Sequence, residues 1–501
     1  MKGPHEDKEA NEATQLVHHD DEENHHHHHH GSRHLGESIP LYSPPRQRQR
    51  WTDTQILPHV NWGDLFFDLF YVAAAYNLDG IMEHDPSFRG LVYFCCCYPP
   101  IFQIWGDKLA YDAKYAPNDN IFHRAAEVLH LAIVGTAIQH VQPVSIMSTT
   151  SRYPDTMIFA AALFVECISR VHRLFDVYYN VEGGDEARHQ SSDDIRRKVA
   201  TSMFYLAAAL VAGYDYFFQP PTNTTNDVPI LLCGAAYVFE ILYFLSNLYC
   251  IVPNSRLSMR EIRVPMNLEF TLHRMGEWVM LMLGESVLSL LIAPQSKGAR
   301  YYVTFYTGIL AVTQLQYLFF RTQPFEARDH ATRRSRSGGF LFTWMLVVYS
   351  GSLIVFGGAY KLTLDQYLLM ETKGPNTLIG LYTVAEREQR IANLFCWSLT
   401  VSMVTLDIML IAHRGAKDNL ARLFGNTGCN CVPFMVFLFD IALNVFTVTL
   451  SRWVTSLETL SVLGCLIVTS HLFLRVFGLR YFPVSKKEMD RLLGRTIDPP
   501  V

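Results

Sequence analysis

Charge is scarce in this sequence: Asp, Glu, Lys and Arg make up 18% of 501 residues, against about 25% in an ordinary soluble chain. The strings that carry the commonest chemistries are also missing. There is no P-loop for a nucleotide, no His-Glu-x-x-His for zinc, no Gly-x-Ser-x-Gly elbow and no Cys-x-x-Cys pair. These absences argue against nucleotide-driven transport within this chain and against the familiar hydrolases. No enzyme activity and no cofactor or metal is expected. The first fifty residues hold no apolar stretch of the kind a cleavable signal peptide needs. The ten cysteines suggest neither a disulfide nor a zinc framework: Cys95, Cys96 and Cys97 are consecutive in an apolar run and read as packing. Cys429 and Cys431 occupy a position that permits palmitoylation, with an unreactive pair as the simpler reading.

What the sequence does have is long apolar runs, near the ~20 residues that cross a bilayer's hydrocarbon core. They fall at 62–82, 89–107, 121–142, 155–178, 199–219, 228–252, 272–293, 300–322, 339–361, 390–412, 431–450 and 457–479. The expected fold is an all-α integral membrane protein, a polytopic bundle of about twelve transmembrane helices over 58–480. A His-rich disordered tail (1–57) precedes it and a short tail (481–501) follows. Pro99 and Pro100 should kink the second helix, since neighbouring groups can re-satisfy the freed carbonyls. The His25–His30 run reads equally as native low complexity or as an inserted tag.

Lys and Arg alternate between loop sets. Clusters such as Arg196-Arg197-Lys198, Arg333-Arg334 and Lys486-Lys487 fall on one predicted face, and the other face is poor in them except for 362–390. The positive-inside rule then puts both termini in the cytosol. The sequon Asn223-Thr224-Thr225 falls in an outer loop. The net charge of −5 sums over both faces and says little. Expected partners are membrane lipids and an unidentified small solute or ion, with no nucleic acid.

The spans nonetheless contain Asp68, Glu127, Glu166, Glu240, Glu277, Glu285, Asp407 and Asp440. At about 3 kcal/mol each these eight would cost of order 24 kcal/mol as ions facing lipid. They must face the interior, pair with Arg or His, line a wet cavity or take up a proton. In "HRAAE" Arg124 stands three residues before Glu127, in "HRMGE" Arg274 three before Glu277, and "HRLFD" repeats the spacing with Arg173 and Asp176. Residues three apart adjoin on a helix face, so each string can form an internal ion pair; an interfacial anchor with a snorkelling Arg is the plainer alternative. His130 adds a protonatable group. Asp64 lies one turn before Asp68 on the same face, near enough to the helix start to cap it, which leaves Asp68 as the working carboxylate. Gly284, just before Glu285, would admit a close helix or leave that carboxylate facing a cavity.

The stretches "LFFDLFYVAAA" (Leu65 to Ala75), "WGDKLAYDAKYAPNDNIFHRAAEVLH" (Trp105 to His130) and "LHRMGEWVMLMLGESVL" (Leu272 to Leu288) resemble the low temperature requirement A family of polytopic membrane proteins. The resemblance implies a multi-pass architecture over about 58–480 and singles out Asp68, Arg124, Arg274, Gly276, Gly284, Glu285 and Ser286 as motif positions. It names no substrate, and the His-rich tail and the 362–390 segment depart from it.

The expected function is a secondary transporter or ion pathway working through intramembrane carboxylates, proton-coupled in one version. A scaffold or sensor using the same carboxylates for packing is the alternative, with an intramembrane enzyme behind both. A transport route expects Asp68, Glu127, Glu166, Glu240, Glu277 and Glu285 to line one connected polar cavity. A scaffold expects them in separate pairs.

Overall fold

The structure, a computed structural model, describes residues 39–49, 62–116, 120–142, 154–181, 185–218, 227–251, 263–296, 298–324, 329–373, 378–379, 382–414 and 431–481. The Asn223 sequon, the His25–His30 run, Cys429 and the C-terminal tail beyond Tyr481 lie outside them.

Among the described residues, twelve long helices coincide with the twelve apolar runs: α1 Trp62–His84, α2 Phe88–Lys114, α3 Ile121–Gln139, α4 Asp155–Asn180, α5 Asp185–Phe218 and α6 Val228–Ser246, then α7 Leu268–Ile292 and α8 Ala299–Thr322. A single turn, α9 (Ala331–Arg334), leads into α10 Arg336–Lys373, followed by α11 Val384–Arg414, α12 Cys431–Trp453 and α13 Leu457–Tyr481. Eight of them (α1, α3, α6, α7, α8, α10, α11 and α13) are long and apolar enough to cross a membrane. The helices α2, α4 and α5 are not among these eight, and they carry the ion clusters described below.

Short polar caps start the helices. Asn120 and Asn267 accept from the amides of His123 (2.8 Å) and Phe270 (3.0 Å) at the heads of α3 and α7. Thr383 and Glu386 form a reciprocal box at the head of α11, with bonds of 2.9 and 3.2 Å. This box closes the 362–390 segment, which is not a long loop: α10 runs on to Lys373, and the strands Leu378–Ile379 and Tyr382–Thr383 turn the chain into α11. A described part of the segment assigned to the tail is likewise held. Arg46–Gln47 pairs antiparallel with Tyr115–Ala116 at the foot of α2.

Helix α1 is central, packed on α2, α3, α7 and α10, and α4 with α5 and α10 with α11 form the most extensive hairpins. The helices α1 and α7 run parallel, because Asp68 meets Arg274 and, farther along both, Asp79 meets Ser289. Helix α10 runs the same way: a Cβ added to Gly358 would lie 1.6 Å from Asp79 Oδ1, and Lys361, one turn on, pairs with Glu83. Pro99 and Pro100 lie within α2, which continues through them. The eight cysteines whose side chains are described are unpaired thiols.

Candidate functional site

Two polar levels on α1 and α7 are separated by rings. At the first level Asp68, fully buried, receives Arg274 Nη1 at 2.8 Å and Nη2 at 2.9 Å, and the Trp105 indole N–H at 3.2 Å. Arg274 also donates to Glu277 at 2.6 Å. The "HRMGE" string therefore does form its local pair, but its arginine is shared with the first helix. Asp64, one turn earlier, stands 3.5 Å from Lys108, which holds Asp112 at 2.5 Å.

Above this level Tyr71, Phe102, Trp105 and Trp278 fill the interior, with Trp278 centred 5.4, 5.2 and 4.5 Å from Tyr71, Phe102 and Trp105. The second polar level follows, eleven residues after Asp68 on α1 and eleven after Arg274 on α7, about 16 Å along each helix. Here Ser289 Oγ lies within reach of Glu285 (3.1 Å) and of Asp79 (3.4 Å), its one hydroxyl hydrogen serving either, and both carboxylates are almost wholly buried. Glu83 pairs with Lys361, and Asp365 lies near both. Asp79 Oδ1, Glu285 Oε2 and Asp365 Oδ1 receive no hydrogen bond from any described donor. Four carboxylates thus share this level and act on one another, with Lys361 paired directly to Glu83 and acting on the other three, and with Arg387 acting on Asp365 and Glu83.

The other predicted carboxylates lie apart: Asp407 on α11 meets Arg475 of α13 and Asp440 on α12 meets His471 of α13 at 2.7 Å, and Glu127, Glu166 and Glu240 lie among α2 to α6. Glu166 Oε2 is 2.7 Å from His130 Nδ1, and Glu166 Oε1 lies 3.4 Å from Arg173 and 3.6 Å from Arg170. Glu240 is held by Lys198 (2.7 Å), Thr201 (2.8 Å) and Arg197 (3.0 Å). Lys198 also contacts Asp107 at 2.6 Å. A hollow of about 300 Å³, counting its opening, separates these two groups; Gln103, Asp107, Glu166, Arg170, Lys198 and Thr201 are in its wall. Glu127 is on an exposed face of α3, where Lys108 is the cation that acts on it most strongly, and Arg124 on the same helix is exposed.

The predicted site residues therefore form three groups: Asp64, Asp68, Arg274 and Glu277 near one level, Glu285 at the second, and His130, Glu166 and Glu240 around the hollow. Among the described residues these groups stand apart from one another. The third string, "HRLFD", makes no internal pair, because Arg173 turns to Glu166 and Asp176 instead meets His123 (3.7 Å) and Tyr42 (2.6 Å). Gly284 admits no close helix, since a Cβ there would meet nothing within 4 Å, and at Gly276 the nearest atom would be an ordinary 3.6 Å away. The close approach is at Gly357 and Gly358 of α10, where added Cβ atoms would lie 2.8 Å from Ser286 Cα and 1.6 Å from Asp79 Oδ1. Ser286 itself donates to the Leu353 carbonyl at 3.0 Å.

Sequence reading passed over Asp79, Glu83, Lys361 and Asp365. One signal for them was available. Asp79 and Glu83 are four apart, as are Lys361 and Asp365, so each pair adjoins on a helix face near a span's end. Among the described residues no group of three or more His, Cys, Asp and Glu could hold a metal ion.

No curated protein and no solved structure matches the chain. The family described as bacterial low temperature requirement A protein (LtrA) matches residues 59–473. That match covers most of the sequence and includes both polar levels. The long apolar helices agree with it, and the chain is a multi-pass, all-α membrane protein that belongs to the low temperature requirement A family.

Proposed function

We propose that this protein is a non-enzymatic secondary transporter or ion pathway in which protons move through the carboxylates at the second level. The observation that carries the reading is the gathering of Asp79, Glu83, Glu285 and Asp365 at one level with Lys361. In this reading the four carboxylates, which outnumber the cations Lys361 and Arg387, are stations that take up and release protons. The rings of Tyr71, Phe102, Trp105 and Trp278 form a barrier between this station and the Asp68–Arg274 pair. In this reading Asp68 and Arg274 are the gate below the barrier, and a proton arriving at Asp68 would release Arg274.

Twelve spans with both termini cytosolic accompany the proposal. Parallel α1 and α7 require an odd number of crossings between them. The two apolar spans α3 and α6 alone would make them antiparallel, whereas α2 to α6 together supply five.

The test is flux of protons and of a panel of solutes into proteoliposomes under an imposed pH gradient. Asp79→Asn and Glu285→Gln should reach normal membrane abundance and lose the gradient-driven flux. Wild-type flux retained in both variants would overturn the reading. A scaffold is the second reading, and one observation favours it: the predicted carboxylates divide into separate paired groups. A chain that folds and moves nothing in the panel would support the scaffold.

A further inference from the structure

Arg170 is 3% exposed, and it forms part of the wall of the hollow between α2, α4 and α5. Its Nε, Nη1 and Nη2 find no hydrogen-bond partner among the described residues. The nearest carboxylate oxygen, Glu166 Oε1, is 3.6 Å from Nη2, close enough for attraction and too far for a good hydrogen bond. Glu166 is in any case committed to His130 at 2.7 Å and shared with Arg173. A whole guanidinium fork left unsatisfied in a dry interior is costly, since each lost charge-assisted bond carries a desolvation penalty.

The charged groups in the wall itself are Arg170 and Lys198 with Asp107 and Glu166. Lys198 already holds Asp107 at 2.6 Å and Glu240 at 2.7 Å, so the wall offers the Arg170 fork no uncommitted carboxylate. Water in the hollow would supply hydrogen bonds but no countercharge.

We propose that the hollow is a binding site for one small planar oxyanion, of the nitrate, formate or bicarbonate class, clasped by the Arg170 fork. Planarity follows from the donor: a guanidinium presents parallel N–H groups that match two oxygens of a flat anion. Small size follows from the space: the room open to the centre of a water-sized body is about 20 Å³, enough for a water or an ion of a few atoms and too little for a nucleotide or a lipid headgroup. The site stands on the α2–α4–α5 side of the bundle, apart from the Asp79 group, and the proposal does not depend on the protein transporting anything.

The experiment uses purified full-length protein in detergent, exchanged into gluconate. It is titrated with sodium nitrate, formate or bicarbonate while thermal unfolding is followed. A saturable rise in Tm is expected, because a ligand that binds only the folded state stabilises it. Chloride, a sphere that cannot span the fork, should need at least about tenfold more for the same rise. Arg170→Gln should lose the saturable response, and Arg188→Gln, an exposed cation on α5, should keep it. If Arg170→Gln does not accumulate, the wild type still decides. Cys167 lines the same hollow, and saturating nitrate should slow its alkylation by a small thiol reagent, read by peptide mass. No saturable response to any of the three anions, a response that survives Arg170→Gln, chloride acting as well as nitrate, or an unchanged Cys167 rate would each overturn the proposal.

Discussion

Arg274 and Asp68 lie 206 positions apart in sequence and make two hydrogen bonds, of 2.8 and 2.9 Å, across the α1–α7 contact. This contact sets the register of two parallel helices, and with it the alignment of Asp79 with Ser289 at the far level. Removing one partner strands the other in low dielectric, which typically costs 3–5 kcal/mol. Arg274→Ala should therefore lower folded yield sharply, and Asp68→Ala less, because Glu277 remains on Arg274 at 2.6 Å. The double variant Asp68→Ala/Arg274→Ala should recover part of the loss. The check is a double-mutant cycle on monodisperse yield in size-exclusion chromatography; strict additivity would mean the pair is not coupled.

The same contact separates two aspartates one turn apart. Asp68→Asn keeps shape and leaves Arg274 a carboxylate at Glu277, so the protein should fold and lose proton-driven flux. Asp64→Asn should be mild, because Lys108 keeps Asp112 at 2.5 Å. Membrane abundance and flux are measured for both beside wild type, and an Asp68→Asn protein with unchanged pH-dependent flux would remove Asp68 from the pathway.

Gly357 and Gly358 should tolerate no side chain. An added methyl at Gly358 meets Asp79 Oδ1 at 1.6 Å and one at Gly357 meets Ser286 Cα at 2.8 Å, so α10 must move away from α1 and α7. Overpacking of this kind costs about 1–3 kcal/mol or more. Gly284→Ala points into open space and should be neutral or stabilising by up to about 1 kcal/mol, through helix propensity alone. Melting temperatures of the three alanine variants test the ordering, and equal losses at all three positions would refute it.

The contrast between these glycines shows how far the sequence was readable. The apolar runs were legible because a span must be near twenty residues long whatever it packs against. Asp68, Arg274 and Glu285 were legible as charges inside such runs. Their partners were not: the i,i+3 rule sees Glu277 beside Arg274 but is blind to Asp68, 206 residues away. Asp79 and Lys361 escaped notice because hydropathy treats a charge near a span's end as a boundary, whereas α10 runs on to Lys373 and keeps Lys361 in the interior. Small residues raised the same difficulty. Gly284 and Gly357 look alike in sequence, and only the position of the neighbouring helix distinguishes open space from contact.

Lys198 holds Asp107 at 2.6 Å and Glu240 at 2.7 Å and is almost wholly buried. Lys198→Met removes the cation they share and leaves Arg197 as the remaining counter-ion, 4.0 Å from Asp107 and 3.0 Å from Glu240. The expected loss is about 3–5 kcal/mol, the range for breaking a buried pair. Lys198→Met/Glu240→Gln should regain part of it. Thermal unfolding of the two variants is the measurement, and a single variant as stable as wild type would show that Arg197 suffices.

The last prediction concerns the direction of the chain through the bilayer. Helices α1, α7 and α10 run parallel, and α8 runs parallel to α13, since Thr307 meets Ser461 and, seven residues on, Gln314 meets Thr469. If every long helix crosses, odd-numbered crossings run one way and even-numbered ones the other. In that count α1, α7 and α10 are crossings one, seven and nine, and α8 and α13 are crossings eight and twelve, so both observed parallel sets are satisfied. Eight crossings restricted to the most apolar helices would set α1 against α7. Twelve crossings would put both ends of the chain on one side, and the loop enrichment in Lys and Arg predicts that this side is the cytosol. An epitope at either terminus should be protected from an impermeant label in intact cells, and one inserted at Asn223, between the fifth and sixth crossings, should be labelled. Termini on opposite sides would require an odd number of crossings, which would put one of the two parallel pairings in conflict with the chain path.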